Sequence, residues 1–457
     1  MLKNRWAAGA IVGFVAVAML FVAGWDGTWL RVRAAGDDRP AGLQQNEAVR
    51  IYMPFGMHGV SMLALPIPKT SIPTEAATNT PTPVPTQTPL PCGVLHERVE
   101  ISAIDVSPRE VQVLTDRDRT AWPVMMDIGP HGGGMIAWTG TDGRVHLTPF
   151  DAEDQREGPD IDIEGEEVRG LQVHGDGAAL LVKRGDVMTL LRIDRDGEVL
   201  WEKDLVGNAN QSVAGSKWVD GWGREGRLGW DGSRYLAYFG HTQQFGAQGK
   251  HQGDLLWYFD SSGEKADGGW DWGCSHSLDV RLTHNGTRFG PVCLSDAFPE
   301  KAMLFHHRTR IRPEPSGNES GGSEGRLGGL VPMDDGFAFS FGSPDAGRTL
   351  RDIGIVFLDN DGQPGAEHWL TDTSGVDEEA PHLARYGEDF LASWMDGDEH
   401  KLALVDEEGA LKKPPSSIDA KIGARDDMIR LSNGDPGWAY AWGDMQELKF
   451  VRVQVCE

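Results

Sequence analysis

Three histidines and one carboxylate between residues 241 and 276 are the clearest candidates for chemistry in this chain. His241 and His251 lie in a long predicted loop over residues 240–253, Asp254 directly follows that loop, and His276 follows a tryptophan-rich connection. Imidazole and carboxylate groups suit zinc or another divalent metal, with a coordination position left for water. The same imidazoles could act as general acids or bases. The spacing matches no metal signature, so a metal-dependent hydrolase or lyase, ligand binding without catalysis, and packing of these side chains within loops all remain open.

Tryptophan is concentrated in the same region. Aromatic rings beside polar groups suit sugar or peptide surfaces, although they also pack between sheets. Trp230 and Trp257 lie in or beside strand-like runs, which favours packing. The better candidates for ligand contact lie in connections, and they are Trp218, Trp222, Lys250, Trp270 and Trp272.

Two acidic stretches further along the chain could hold calcium. Residues 377–379 with His382, and residues 396–399 with His400, place oxygen ligands at close spacing. Neither stretch has the length of a full calcium loop. Solvated acidic loops are the alternative, because the formal net charge is −26. Such a charge also argues against binding to nucleic acid.

Two repeated turn signals indicate the elements that carry these residues. The first is Asp-x-x-Gly after an apolar run, with Asp194, Asp260, Asp359 and Asp406 in the first position and one wider gap that would hold a degenerate copy. The second is Asp-Gly or Asn-Gly a few residues after an arginine. Both are hairpin signals. Together they predict units of four strands, A to D, with a period of about 50 residues, which is typical of β-propellers.

The arginines of the second signal are Arg227, Arg281, Arg430 and, in a looser copy, Arg385. A strands are predicted to start near residues 122, 168, 224, 276, 325, 380 and 425. The chain is therefore predicted to be all-β and to form a seven-bladed β-propeller, with six or eight blades as alternatives. The four arginines would lie near the central channel. They could point inward, or pair with acidic groups of the next blade.

The last unit lacks a D strand, and residues 97–101 before the first A strand are unassigned. We expect this N-terminal segment to complete the last blade. That arrangement would bring Cys92 beside Cys456, while Cys274 and Cys293 would face each other across strands A and B of one unit. Two disulfides are therefore predicted, Cys92–Cys456 and Cys274–Cys293. Other disulfide pairings, or thiols that bind zinc, are the alternatives.

The run Asp194-Arg195-Asp196-Gly197-Glu198-Val199-Leu200-Trp201 resembles the Asp-x-x-Gly-x-x-x-Trp signature of quinoprotein-like blades in secreted bacterial β-propellers. The resemblance implies blade architecture across residues 92–457. It implies no dehydrogenase activity, because no quinone-binding pattern accompanies it.

The N-terminus reads as a targeting segment. Lys3 and Arg5 precede an apolar run that ends before Asp26, so residues 1–35 are predicted to be a signal peptide or a retained membrane anchor. Residues 36–91 are predicted to be a disordered linker rich in Pro and Thr. Residues 92–457 are the propeller.

The leading hypothesis is that the chain is an exported, monomeric β-propeller that binds a ligand and is either secreted or located in the cell envelope. Its ligand would be a glycan or a cell-surface protein, and it would contact a membrane only through its N-terminal segment. The alternatives are a metal-dependent hydrolase or lyase, holding zinc or another divalent ion with His241, His251 and His276, and a structural scaffold.

Overall fold

The computed structural model describes residues 93–112, 123–206, 226–274, 279–295, 301–314, 325–344, 348–373 and 375–455, together with the backbone of 216–220. Across these ranges, strands in seven antiparallel sheets form a seven-bladed β-propeller, as predicted. The predicted A strands near residues 168, 325 and 380 begin at Glu167, Arg326 and Glu378.

The strands of the first three blades, preceded by the N-terminal strand, are β1 (Val99–Asp105), β2 (Met125–Ile128), β3 (Gly134–Thr139), β4 (Val145–Phe150), β5 (Ile161–Ile163), β6 (Glu167–His174), β7 (Gly177–Arg184), β8 (Val187–Asp194), β9 (Val199–Leu205), β10 (Ser216–Asp220), β11 (Gly226–Trp230), β12 (Arg234–Phe245), β13 (Lys250–Asp260) and β14 (Lys265–Trp270). The strands of blades 4 to 7 are β15 (Val280–His284), β16 (Phe289–Ser295), β17 (Ala302–Phe305), β18 (Thr309–Pro313), β19 (Arg326–Met333), β20 (Gly336–Ser343), β21 (Asp352–Asp359), β22 (Pro364–Trp369), β23 (Glu378–Tyr386), β24 (Asp389–Asp396), β25 (Glu399–Val405), β26 (Leu411–Ile418), β27 (Ile429–Arg430), β28 (Pro436–Tyr440) and β29 (Glu447–Val453). Two short 3-10 turns, Leu95–Arg98 and Gly246–Gln248, complete the assigned elements.

The hydrophobic core is divided among the interfaces between neighbouring blades. Each of seven buried clusters joins two adjacent sheets; one, for example, holds Leu181 of blade 2 against Phe239 of blade 3. A four-stranded sheet cannot bury both of its faces alone, so each blade depends on its two neighbours.

The Asp-x-x-Gly turns join strands C and D, and they also join neighbouring blades. Asp260 Oδ1 accepts hydrogen bonds from the backbone N of Ser262 at 2.9 Å and of Glu264 at 3.0 Å. Gly263 adopts a φ of +81°, and a Cβ there would lie 2.6 Å from the Trp201 ring of blade 2. Trp201 Nε1 also donates to Ser261 O at 3.1 Å. Glycine is thus needed both for its backbone conformation and for the close approach of a ring from the preceding blade.

We expect Gly263→Ala to lower the free energy of unfolding by about 3 kcal/mol, because it adds backbone strain and displaces the Trp201 ring. Gly286→Ala is the matched control: its φ is +85°, but nothing lies within 4 Å of the added Cβ. That variant should lose only about 1 kcal/mol. Urea unfolding of both proteins measures the difference, and equal losses would show that the interblade contact contributes nothing.

Two copies of this turn escape the sequence pattern. In blade 1, Asp151 Oδ1 accepts from the backbone N of Glu153 and Gln155, but the fourth position is Asp154, with a φ of +63°. In blade 4, the C–D turn contains His306 and His307, both at positive φ. This blade 4 turn is the degenerate copy expected in the wide gap between Asp260 and Asp359.

Strand β1 closes the ring as predicted. It pairs antiparallel with β29, with Val99 opposite Val453, and so becomes the outer strand of blade 7. Blade 1 is held to blade 7 by Arg452, whose Nε donates to Asp154 Oδ2 at 2.7 Å and whose Nη1 lies 3.1 Å from Asp435 Oδ2. Burial acts to lower the pKa of Arg452, but the hydrogen bonds and charges of Asp154 and Asp435 outweigh it and raise that pKa above its usual value.

The predicted leader 1–35, the linker 36–91, Cys92 and Cys456 lie outside the described residues, so the Cys92–Cys456 bond remains a prediction. In the part of the chain that the structure describes, no helix is long and apolar enough to cross a membrane.

Candidate functional site

Blade 3 extends beyond its neighbours through a long β-hairpin. Strands β12 and β13 pair continuously from Arg234–Asp260 out to Gln244–Lys250, and β10 adds along the outer half of β12. The prediction that residues 240–253 form a loop between strands B and C is therefore wrong, because strand pairing continues up to the turn at Gly246–Gln248. The hairpin is a rigid platform for its side chains.

One face of this hairpin carries a row of four rings, which we call the aromatic row: His241, Trp272, Phe245 and His251. Successive ring centroids are 5.1, 4.6 and 5.6 Å apart, all in edge-on geometry. Trp272 comes from the D–A connection and packs on Gly253, where a Cβ would lie 2.8 Å from its ring. Trp272 and His251 are half-buried, while His241 and Phe245 are buried. The two half-buried rings are the ones a ligand could contact.

His241 lies at the buried end of the aromatic row. Burial lowers its pKa to about 3, and a hydrogen bond with the backbone of Asp271 opposes this only in part. The imidazole is therefore neutral at physiological pH. A neutral imidazole can bind a metal, but it is a much weaker general acid than an imidazolium.

We expect His241 to make the protein acid-sensitive. The unfolded chain protonates this histidine below about pH 6.5 while the folded protein does not, so stability present above that pH is lost as the pH falls toward 3. Between pH 6.5 and 5, the free energy of unfolding of His241→Gln should fall by about 2 kcal/mol less than that of the unsubstituted protein. Urea unfolding at both pH values measures this. Equal slopes in the two proteins would contradict the assignment.

Asp254 lies on the opposite face of the same sheet, because successive strand residues alternate sides. It is fully buried, and it accepts from Tyr238 OH at 2.6 Å, Trp270 Nε1 at 2.8 Å and Cys274 N at 2.9 Å. A Cβ at Gly273 would meet its Oδ1 at 1.9 Å. From this opposite face, Asp254 therefore anchors the D–A connection, the segment that follows Trp270 and leads into blade 4.

Burial raises the pKa of Asp254 to about 6, and these three donors oppose the shift. The Cys274–Cys293 disulfide, predicted from the sequence, ties the same connection to strand β16, with the two Cα atoms 6.4 Å apart. The bond points to an extracytoplasmic location, because such bonds persist in oxidising compartments.

The predicted site residues therefore divide into groups. His241, His251 and Trp272 lie together, Asp254 and Trp270 belong to the network beneath them, and Lys250 is exposed at the tip of the hairpin. Trp222 and His276 lie outside the described residues, and only the backbone of Trp218 is described.

Within the described ranges, three metal-binding side chains converge only at Asp254, Cys274 and Cys293, where the two sulfur atoms are bonded to each other. The proposed metal site of His241, His251 and His276 therefore stays a prediction. In the acidic region further on, Glu378 is buried, and its carboxylate accepts from Thr371 Oγ1 and from Trp394 Nε1. Burial raises its pKa to about 7.

The four arginines of the repeated signal all line the central channel, but they lie at two levels. Arg227 and Arg281 are buried near the start of their strands. Arg385 and Arg430 lie at the ends of theirs, and Arg385 pairs with Glu407 at 2.9 Å. The copies that look alike in sequence are thus not equivalent in structure.

Residues 419–428, which connect blade 6 to blade 7, form what we call the cap segment. Arg281 Nη2 donates to Ala424 O at 2.9 Å, and Arg227 Nη2 donates to Arg425 O at 3.2 Å. The Asp426 carboxylate, in turn, accepts from Val124 N of blade 1 at 2.9 Å. Blades 1, 3 and 4 therefore all hold the cap segment across one end of the channel. No sequence signal marked this segment.

Comparison with known proteins assigns the chain to no family. No protein-family model matches the chain, and no curated protein is similar to it. Hydrazine synthase of Kuenenia stuttgartiensis is 12% identical, over 76% of this chain and 99% of that one, with a TM-score of 0.49. The Pan2 WD40 domain of Neurospora crassa is 11% identical, over 73% and 89% of the two chains, with a TM-score of 0.42. At such identities a shared fold does not imply a shared function.

Proposed function

We propose that this protein is an exported binding propeller whose ligand contacts the aromatic row on the blade 3 hairpin. The ligand would be a glycan or a protein of the cell surface. The observation that carries the proposal is the arrangement of half-buried Trp272 and His251 on a rigid hairpin that projects from one blade. Rigid aromatic rings bind with little loss of side-chain entropy, which suits sugar and peptide faces.

Two features support this position. The Asp254 network and the Cys274–Cys293 bond fix the connection that carries Trp272, so the ring is held before a ligand arrives. The cap segment closes the adjoining end of the central channel with the chain's own residues. A ligand approaching this face would therefore meet the hairpin beside the cap segment.

The proposed location is outside the cytoplasm. The leader 1–35 would export the chain or anchor it, and the linker 36–91 would hold the propeller away from the membrane. The protein would act as a monomer.

The direct test is binding of the full-length protein to a glycan array and to surface proteins of the producing cell. Trp272→Ala should weaken binding by at least tenfold, which corresponds to about 1.4 kcal/mol. The matched control is Trp442→Ala, which removes a partly exposed tryptophan from blade 7. Its binding should be unchanged. Binding that survives Trp272→Ala would place the ligand elsewhere, and absence of any ligand would favour a scaffold.

A metal-dependent hydrolase or lyase is the second candidate, because His241 and His251 share one face of the hairpin. Elemental analysis of protein purified without a histidine tag separates it from the first. Stoichiometric zinc or manganese that is lost in His251→Ala would favour the enzyme. Metal-free protein that still binds its ligand would favour the binding propeller.

A further inference from the structure

The central channel contains a cavity of about 560 Å³ that is bordered by all seven blades. Each blade contributes one leucine or methionine at the equivalent position of its innermost strand or directly before it. These residues are Met126, Leu171, Leu228, Leu282, Leu330, Leu383 and Met428. These side chains form a ring of apolar groups in a wall that also carries charged and polar residues, and the volume of the cavity lies in the range of small-molecule sites.

Different described residues border the two ends of this cavity. At one end it is bordered by the cap segment through Asp426 and Asp427. At the other end the lining residues include Asp334 and Glu388, which belong to the turns between A and B strands and are exposed. Solvent thus reaches the cavity from the face opposite the aromatic row. A molecule entering there would meet the apolar ring and then stop at the cap segment.

Polar and charged groups from several blades also line the cavity. Asp127 Oδ2 accepts from Val173 N at 2.6 Å and from Gln172 Nε2 at 2.8 Å, so its position is fixed by blade 2. Burial, reinforced by the nearby charge of Asp427, raises the pKa of Asp127 to about 7. Asp427 itself lies 3.3 Å from Arg227 Nη2. Both carboxyl groups border the cavity, as do four arginines, and Asp427 is paired with one of these, Arg227. A cation placed between them would relieve their repulsion.

We propose that this cavity binds a small amphipathic amine, with its apolar body inside the leucine and methionine ring and its ammonium group between Asp127 and Asp427. The apolar wall supplies the binding energy, and the paired carboxyl groups select for positive charge. The site is separate from the aromatic row, since it lies inside the central channel and opens on the opposite face of the propeller. Trp272→Ala should accordingly leave amine binding unchanged.

Calorimetry with n-octylamine, n-octanol and n-octanoate on the full-length protein tests the proposal. The amine should bind at least tenfold more tightly than the alcohol, and the carboxylate should bind most weakly. Asp127→Asn keeps an oxygen for the Val173 and Gln172 donors but removes the charge. The Asp127→Asn variant should bind n-octylamine only as tightly as n-octanol, and its affinity for n-octanol should be unchanged. Asp196→Asn, an exposed carboxylate in a turn of blade 2, removes the same charge and should alter neither affinity.

Three outcomes would overturn the proposal: octanoate binding as well as octylamine, an amine preference that survives Asp127→Asn, or no saturable binding of the amine at millimolar concentration. If Asp127→Asn does not fold, Asp427→Asn on the cap segment must reduce the amine preference instead. Leu282→Phe narrows the leucine and methionine ring, so it should weaken the binding of n-octylamine and of n-octanol alike. Unchanged binding in this variant would place the ligand outside the channel.

Discussion

Removal of residues 93–105 is expected to abolish cooperative folding of the propeller. Without β1, blade 7 keeps only three strands, and β29 exposes an unpaired edge along Glu447–Val453. Leu95 and Ile104 leave the cores of two interfaces that involve blade 7. Because each blade is buried only by its neighbours, damage to one blade reaches both interfaces. The loss should exceed about 5 kcal/mol, which is comparable to the whole stability of many domains.

The measurement is urea unfolding followed by tryptophan fluorescence, together with the yield of soluble protein. A synthetic peptide of residues 93–105 added to the truncated chain should restore a cooperative transition, because the strand needs no covalent link in order to pair. A scrambled peptide of the same composition is the control. A truncated protein that unfolds cooperatively at the same urea concentration as the full chain would show that the ring does not depend on β1.

The fold was predictable because turn chemistry repeats with little variation. Asp194, Asp260, Asp359 and Asp406 each bond the backbone N atoms two and four residues on, and a glycine at positive φ follows each. Local geometry of this kind is visible in sequence. Asp154 was missed because its role depends on Arg452, which lies in the last strand and has no local signature.

The candidate site was only partly predictable, for a reason of strand geometry. Residues 240–253 are polar and rich in glycine, so they were interpreted as a loop, in which neighbouring side chains can converge. In the structure they are paired strands, and His251 and Asp254 lie on opposite faces. Even and odd positions of a strand never share a face. The cap segment was missed because its bonds run from distant arginines to backbone carbonyls, and backbone acceptors leave no trace in sequence.

The position of the cap segment leads to the second large prediction. Arg281→Ala should lower the free energy of unfolding by about 3–4 kcal/mol, since this buried guanidinium donates to the carbonyls of Val280, Leu327, Gly328 and Ala424. Charged donors form the stronger hydrogen bonds, and their loss leaves buried carbonyl oxygens unsatisfied. We expect the substitution to destabilise the cap segment locally as well as the whole fold, because the Ala424 carbonyl belongs to the cap segment.

Urea unfolding measures the global loss, and hydrogen exchange of the backbone amides of residues 419–428 measures the local one. These amides should exchange at least tenfold faster in Arg281→Ala. Arg385→Ala is the matched control: it removes an arginine of the same sequence signal whose ion pair with Glu407 lies at the surface, and it should cost less than about 1 kcal/mol. Equal losses in the two variants would contradict the division of these arginines into two levels. Unchanged exchange in residues 419–428 would mean that Arg281 does not hold the cap segment across the channel.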